Sequence, residues 1–140
     1  MTVSVAVDLP RPPEAVRAYL RDPRRRPEWQ SSLRRVDDVR GDGEVGTTWR
    51  DVTWPGLRPS MRVTEDTPTR WAETGSWRGW TADLVLDLEP LGSPYPPGTR
   101  VRLTAGVEPP RWLGWLRRPM NALAARAIAA DVRKVGTLIP

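Results

Sequence analysis

Two acidic residues stand where a β-strand would place them beside a tryptophan. Asp51 follows Trp49 by two positions, and Glu73 follows Trp71 by two positions. Side chains two residues apart lie on the same face of a strand, so each carboxyl group faces inward if its tryptophan does. Burial among indole rings disfavours the ionised form of a carboxyl group and raises its pKa towards a value that suits proton transfer. Asp51 and Glu73 are therefore the candidate catalytic residues.

A structural interpretation of both carboxylates is favoured over the catalytic one at this point. Each would then pair with an arginine across the sheet, or simply face water. Arg50, Arg62 and Arg70 are the arginines placed for such a pairing.

Few other residues could support catalysis, because the 140 residues include neither cysteine nor histidine. This excludes disulfides, thiolate and imidazole metal sites, and the Ser-His-Asp and Cys-His arrangements. There is no glycine-rich phosphate loop, and the carboxylate pair Asp37-Asp38 stands in an ordinary position beside a turn. The sequence therefore predicts no metal and no cofactor.

The net charge of +5 is distributed unevenly, with +4 over residues 1–35, −4 over 36–108 and +5 over 109–140. A basic surface can attract nucleic acid. However, the run Arg24-Arg25-Arg26 is isolated, and arginine and aromatic residues do not alternate as they do in RNA-binding segments. We expect no nucleic-acid partner, and we expect these arginines to lie on solvated helix faces or to pair with the acidic middle segment.

Length and hydropathy indicate a single domain over residues 1–140. No apolar run approaches the ~18 residues that span a bilayer, and the N-terminus does not have the pattern of a signal peptide. We expect a cytoplasmic protein that is a monomer or a homodimer.

The elements that must position the carboxylates follow from hydrophobic periodicity. Val5, Val7 and Leu9 alternate with polar or small residues and predict a first strand. Two short helices are expected next, one beginning at Pro13 and one running from Asp22-Pro23 to Trp29. Further strands are predicted at residues 33–40, 44–54, 60–66, 70–77, 80–89 and 100–105.

Residues 119–138 predict one long helix, since they are rich in alanine and contain no proline after Pro119. Such a helix would cross a whole small domain at ~1.5 Å per residue. Its predicted apolar stripe comprises Met120, Leu123, Ala127, Ile128, Val132 and Val135.

This order of elements is that of the α+β helix-grip fold, in which a curved antiparallel sheet of about seven strands, with two short helices after the first strand, wraps around a long C-terminal helix. The sequence resembles the SRPBCC superfamily, and in particular its polyketide cyclase/dehydrase-like and START-like bacterial members. The matching residues are Pro12-Pro13-Glu14-Ala-Val16, Asp22-Pro23, Pro27-Glu28-Trp29, Gly43-Glu-Val-Gly46-Thr with Trp49, Thr67-Pro68-Thr-Arg70, Gly98-Thr99-Arg-Val101, Asp131 and Val135.

The resemblance implies a deep and mainly apolar cavity between the sheet and the long helix. Strand parity and the helix stripe then predict which side chains bind a ligand there, although the alternative of core packing is open for the tryptophans. The predicted ligand-binding residues are Trp29, Trp49, Trp54, Met61, Trp71, Trp77, Trp80, Leu84, Leu103, Met120, Leu123 and Ile128.

Trp112 and Trp115 stand in an arginine-rich segment before the long helix. Such a mixture suits a membrane interface, with the indoles in the lipid and the guanidinium groups at the phosphates. A lid over the cavity mouth, or plain packing, is the favoured interpretation.

Three functions remain from different classes, and the last of them is a partner-binding regulator that uses the basic ends of the chain. The first is a carrier or sequestering module that binds a hydrophobic small molecule, aromatic, polyketide-like or lipid-like. The second is an enzyme resembling the polyketide cyclases, in which carboxylates promote aldol cyclisation and dehydration. Cyclases of this type are expected to need several polar groups in the cavity, and the sequence offers Asp51, Glu73 and, with less support, Arg62 and Tyr19. This shortage favours binding without chemistry.

Overall fold

The computed structural model describes residues 3–54, 56–92 and 98–139. Its seven strands form one antiparallel sheet in the order β1-β7-β6-β5-β4-β3-β2. They are β1 (Val3–Leu9), β2 (Leu33–Arg40), β3 (Thr48–Thr53), β4 (Ser60–Asp66), β5 (Arg70–Trp77), β6 (Trp80–Pro90) and β7 (Thr99–Glu108).

The helices occupy the positions that the sequence predicts. They are α1 (Pro13–Leu20), α2 (Arg26–Trp29) and α3 (Arg117–Leu138), with one 3₁₀ turn at Pro23–Arg25 and a 3₁₀ helix at Arg111–Leu116. Pro13 occupies the first turn of α1, where a missing N–H group costs nothing. The Asp22 side chain caps the 3₁₀ turn by accepting a hydrogen bond from the Arg24 N–H group. The predicted two short helices and long terminal helix are confirmed.

Strand β6 illustrates how the sheet separates its two faces. Leu84, Leu86 and Leu88 are buried, whereas Thr81 and Asp83 before them and Glu89 after them are exposed. The buried face of the sheet packs against α3 through core residues such as Val101, Leu103, Val132 and Val135. A curved antiparallel sheet wrapped around a long helix is the helix-grip arrangement that was predicted.

One predicted strand is shorter in the structure. The pattern predicted a strand over residues 44–54, but β3 begins at Thr48. Gly43 and Gly46 have φ angles of +107° and +93°, which place them in the left-handed region that does not continue a strand. The Thr47 N–H group also donates to the Glu44 carbonyl oxygen, so this segment is a turn.

Polar side chains attach α3 and α2 to their neighbours. The Asn121 Oδ1 atom accepts a hydrogen bond from the Val107 N–H group of β7. The Asp131 Oδ2 atom lies 3.2 Å from the backbone nitrogen of Ser31, just after α2, and accepts its hydrogen bond. These contacts fix α3 against the end of β7 and hold the end of α2 against α3.

The 3₁₀ helix at Arg111–Leu116 has no buried residue. Trp112 and Trp115 are 77% and 75% exposed, so neither indole packs into the core. Leu113, which lies between them, has a non-helical backbone conformation (φ −111°, ψ 16°), so the segment is kinked there. Within the described residues no helix is long and apolar enough to cross a membrane.

Membrane contact through Trp112 and Trp115 stays a prediction that vesicle flotation can test. If the segment lies in a lipid interface, the protein floats with vesicles containing anionic lipid at low salt, and Trp115→Ala reduces the bound fraction. Trp54→Ala removes another exposed indole, 68% accessible, and serves as the matched control. The absence of binding to anionic vesicles at low salt contradicts the prediction.

Candidate functional site

A cavity of about 200 Å³ lies between the sheet, α2 and α3. Much of its wall consists of small residues, which leave space where larger side chains would meet. Its lining residues in β6, β7 and α3 include Ala82, Ala105, Gly106 and Ala124. The polar end of the cavity is formed by Arg26, Gln30, Asp51 and Glu73.

Arg26 is the central residue of this polar end, and only 1% of its surface is exposed. One guanidinium nitrogen, Nη1, lies 2.8 Å from Glu73 Oε1 and 3.0 Å from Gln30 Oε1. The interaction with Glu73 joins helix α2 to strand β5. It is a buried ion pair, in which each charge offsets the cost of removing the other from water.

Three tryptophans surround the guanidinium group. Its central carbon lies 5.1 Å from the ring centroid of Trp29, 5.5 Å from that of Trp49 and 5.2 Å from that of Trp71. Trp49 and Trp71 are themselves stacked, with centroids 6.4 Å apart. Cation–π attraction is stronger where water is excluded, so the indoles stabilise a charge that would be costly in an aliphatic core.

Asp51 lies beside this cluster and is 5% exposed. The pKa of Asp51 is raised to about 6, chiefly by burial, which outweighs the opposing Arg26 charge. The Glu73 charge also raises the pKa, and a hydrogen bond from Trp49 lowers it. The Trp49 Nε1 atom donates to Asp51 Oδ1 at 2.7 Å. A carboxyl group with this pKa exchanges its proton close to neutral pH.

Four buried polar atoms of the cluster have no hydrogen-bond partner among the residues that the structure describes. They are Arg26 Nε, Arg26 Nη2, Trp29 Nε1 and Glu73 Oε2. All three residues line the cavity. Since these atoms have almost no accessible surface, the cluster keeps unused hydrogen-bonding capacity inside the protein.

A second cavity of about 290 Å³ adjoins the first and shares Pro59, Ala82 and Val107 with it. Its remaining lining is almost wholly apolar and includes Trp77, Trp80 and Met120. The two cavities together run from a polar inner end to an apolar outer one. The wider hollows elsewhere lie on the outer face of the sheet among arginine side chains and are open to solvent.

The structure brings most of the predicted site residues to these cavities or next to them. The inner cavity is lined by Trp29, Asp51, Met61, Glu73, Leu84 and Ile128. Trp77, Trp80 and Met120 line the outer cavity. Trp49, Trp71 and Leu103 are buried core residues.

Two predicted ligand-binding residues lie elsewhere and are corrected here. Trp54 is 68% exposed, because it stands an odd number of residues from Asp51 and follows the last residue of β3. Leu123 is 66% exposed, because it lies about 200° around the helix from the buried Ala125. The predicted stripe also included Ala127, which is exposed.

Arg26 is the site residue that the sequence did not reveal. It belongs to a run of three arginines that was expected to be exposed, and Arg24 and Arg25 are indeed exposed. The available signal was its spacing of three residues from Trp29, which places both on one side of a short helix. Arg62 is exposed, and the Tyr19 hydroxyl donates to Glu28.

Replacement of Asp51 by asparagine tests the ionisation of this carboxyl group. A folded-state pKa above the unfolded one means that the native state binds the extra proton, so stability falls as pH rises towards the folded pKa. From pH 4 to pH 7 the wild type is expected to lose about 2 kcal/mol of unfolding free energy through Asp51. Asp51→Asn removes this loss, so its stability relative to wild type rises with pH. Urea unfolding at several pH values measures the difference.

Asp83→Asn, which removes an exposed carboxylate at the same cavity, serves as the control for the change in net charge. A relative stability of Asp51→Asn that is constant or falls with rising pH would contradict the raised pKa.

Comparison with known proteins identifies the family of this chain and confirms its fold. Residues 1–138 match the family described as "Polyketide cyclase / dehydrase and lipid transport". A search of curated proteins finds no match.

Several solved structures have the same fold at low sequence identity. A protein from Thermus thermophilus is 20% identical with a TM-score of 0.79, and the alignment covers 99% of this chain and 97% of that one. Truncated norcoclaurine synthase from Thalictrum flavum is 12% identical with a TM-score of 0.72, covering 96% and 92% of the two chains. Ara h 8.0201 is 12% identical with a TM-score of 0.71, covering 99% and 98%.

The family match extends over nearly the whole chain, and the structure has the helix-grip fold with a cavity between sheet and helix. Family and fold together indicate a domain that binds a hydrophobic ligand. The chain therefore belongs to the polyketide cyclase / dehydrase and lipid transport family, as a protein of the SRPBCC type.

Proposed function

We propose that this protein binds a compact hydrophobic small molecule in the inner cavity and acts as a carrier or a sequestering module. The observation that carries the proposal is the cavity of about 200 Å³ between sheet and helix. An apolar protein cavity of about 150 Å³ accepts benzene. The inner cavity therefore suits a molecule of about one ring, and a longer ligand would extend into the outer cavity beside Trp77, Trp80 and Met120.

The enclosed shape of the inner cavity favours binding of a small molecule over a function of the protein's open surface. Trp29, Leu84 and Ile128 provide apolar walls on three different elements, so a bound ring would be removed from water on several sides. Burial of apolar ligand surface contributes about 25 cal/mol per Å² to the free energy of binding.

Native mass spectrometry of the protein purified from its own host would identify a ligand that remains bound.

A matched pair of helix variants tests the cavity. Ala124 lines the inner cavity, whereas Ala127, three residues later on α3, is exposed. Ala124→Phe places a ring in the space that the ligand would occupy, and we expect it to lower the affinity for toluene more than tenfold. Ala127→Phe adds the same ring outside and should leave the affinity unchanged. Calorimetric titration with toluene measures both, and equal affinities in the two variants would place the ligand elsewhere.

A second candidate function is acid/base catalysis of the kind that aldol cyclisation and dehydration require. The observation in its favour is the carboxyl group of Asp51, whose pKa burial raises to about 6, next to the Arg26 guanidinium. A base with this pKa removes protons from carbon next to a carbonyl group, and a neighbouring cation stabilises the resulting enolate oxygen. Arg26 and Trp29 also add polar groups that the sequence-based count of the cavity did not include.

A nitrobenzisoxazole, which has two fused rings, is a direct probe of such a base. Proton removal from its ring carbon sends the electron pair into a nitrile and breaks the N–O bond, which releases a coloured phenolate. If Asp51 is a catalytic base, the rate exceeds the buffer reaction and rises with an inflection near the pKa of about 6. Asp51→Asn then loses this inflection, whereas Asp83→Asn retains it. A rate equal in wild type and Asp51→Asn would remove Asp51 from this role.

A further inference from the structure

We propose that the inner cavity binds a small hydrophobic amine in its protonated form, with the ammonium group at the Asp51 carboxylate and the hydrocarbon part among the apolar walls. This inference rests on the proposed binding function and names the class of ligand.

A carboxylate oxygen that faces the cavity is the first argument. Asp51 lines the inner cavity and is 5% exposed. Its Oδ1 atom accepts the hydrogen bond from Trp49, whereas Oδ2 has no hydrogen-bond partner among the residues that the structure describes. Unlike the unpartnered atoms of Arg26, Trp29 and Glu73, Asp51 Oδ2 is not closed off from its surroundings. Since the rest of the side chain is buried, this oxygen is open to a molecule in the cavity.

The balance of charge around the cavity is the second argument. Three carboxylates line it, those of Asp51, Glu73 and Asp83, against the single guanidinium group of Arg26. Glu73 and Arg26 form an ion pair at 2.8 Å and largely cancel each other. Asp51 and Asp83 therefore leave an excess of negative charge, which attracts a cation and repels a carboxylate.

The cost of burying Asp51 gives a cation a further advantage. Burial raises the pKa of this carboxyl group to about 6, against the opposing charge of Arg26. An ammonium group at Oδ2 supplies a charge-assisted hydrogen bond to an oxygen that has no partner, and each charge offsets the cost of removing the other from water. An alcohol also donates a hydrogen bond, but it brings no charge. We therefore expect the cavity to prefer an amine to an alcohol of the same shape.

The apolar walls determine the rest of the ligand. Leu84, Ile128 and the Trp29 ring line the same cavity of about 200 Å³ and can enclose a hydrocarbon body. Ala124 and Ile128, which α3 contributes to the lining, carry no charge. The volume suits about one ring, so the predicted class is a compact amine such as an aminomethyl-substituted ring.

The experiment compares benzylamine, benzyl alcohol, toluene and benzoate by calorimetric titration of the intact protein at pH 7. We expect benzylamine to bind at least tenfold more tightly than toluene or benzyl alcohol, and benzoate to bind most weakly. Toluene binding with benzylamine no tighter would overturn the amine assignment and leave the cavity function standing. The assignment also fails if benzyl alcohol equals benzylamine, because a hydrogen bond without charge would then suffice. Failure of all four probes to bind would overturn both proposals.

A matched pair of variants locates the ammonium group. Asp51→Asn and Asp83→Asn each remove one negative charge from the lining of the same cavity, but Asp83 is exposed and its charge is screened by water. We expect Asp51→Asn to lower the ratio of benzylamine affinity to toluene affinity at least tenfold, and Asp83→Asn to lower it less than about threefold. Equal losses in the two variants would contradict direct contact with Asp51.

Proton release gives a test that needs no variant. At pH 6 about half of the Asp51 carboxyl groups carry a proton. A cation bound at this group favours its ionised form, so benzylamine binding should release up to about half a proton, whereas toluene should release none. Titrations at pH 6 in two buffers of different ionisation enthalpy measure this number. Proton uptake, or no release, on benzylamine binding would contradict the assignment.

Discussion

The buried ion pair between Arg26 and Glu73 connects the short helix α2 to the centre of the sheet, and the site is arranged around it. An arginine taken out of water requires an anion and further hydrogen bonds close by. Glu73 supplies the anion, Gln30 supplies a carbonyl oxygen, and three indole faces surround the remaining surface of the guanidinium. The same cluster sets the environment of Asp51, since burial and the Glu73 charge raise its pKa while Arg26 lowers it.

The hollow beside this cluster follows from the choice of small residues where α3 faces the sheet. Ala124 on the helix lies opposite a wall that includes Ala82, Ala105 and Gly106, so the backbones stay apart without side chains that fill the gap. Asn121 and Asp131 hold the helix in place through hydrogen bonds to the backbone of Val107 and Ser31. Hydrogen bonds at two points along α3 thus hold the helix in place beside the inner cavity.

The sequence predicted the strands, their inward faces and the long helix, because alternation and helical spacing are local properties. Parity alone placed Asp51 with Trp49 and Glu73 with Trp71 on the buried face. The same reasoning could not identify Arg26, because its partner lies on a strand 47 residues later and its neighbours Arg24 and Arg25 are exposed. The apolar stripe predicted for α3 was also wrong at Leu123, which is exposed. The buried face of the helix includes the polar residue Asn121, which a pattern of apolar residues does not count.

Carriage and catalysis would use the same atoms of this cavity in different ways. The charge of Arg26 at the cavity wall can attract a polar group of a ligand in the ground state, or it can stabilise an oxygen that gains charge during a reaction. Only the second use accelerates chemistry, because it requires tighter contact with the transition state than with the bound molecule. The proton exchange of Asp51 near neutral pH is compatible with both uses. What separates them is whether the bound molecule places an acidic carbon–hydrogen bond within reach of the Asp51 carboxyl group, which lines the inner cavity.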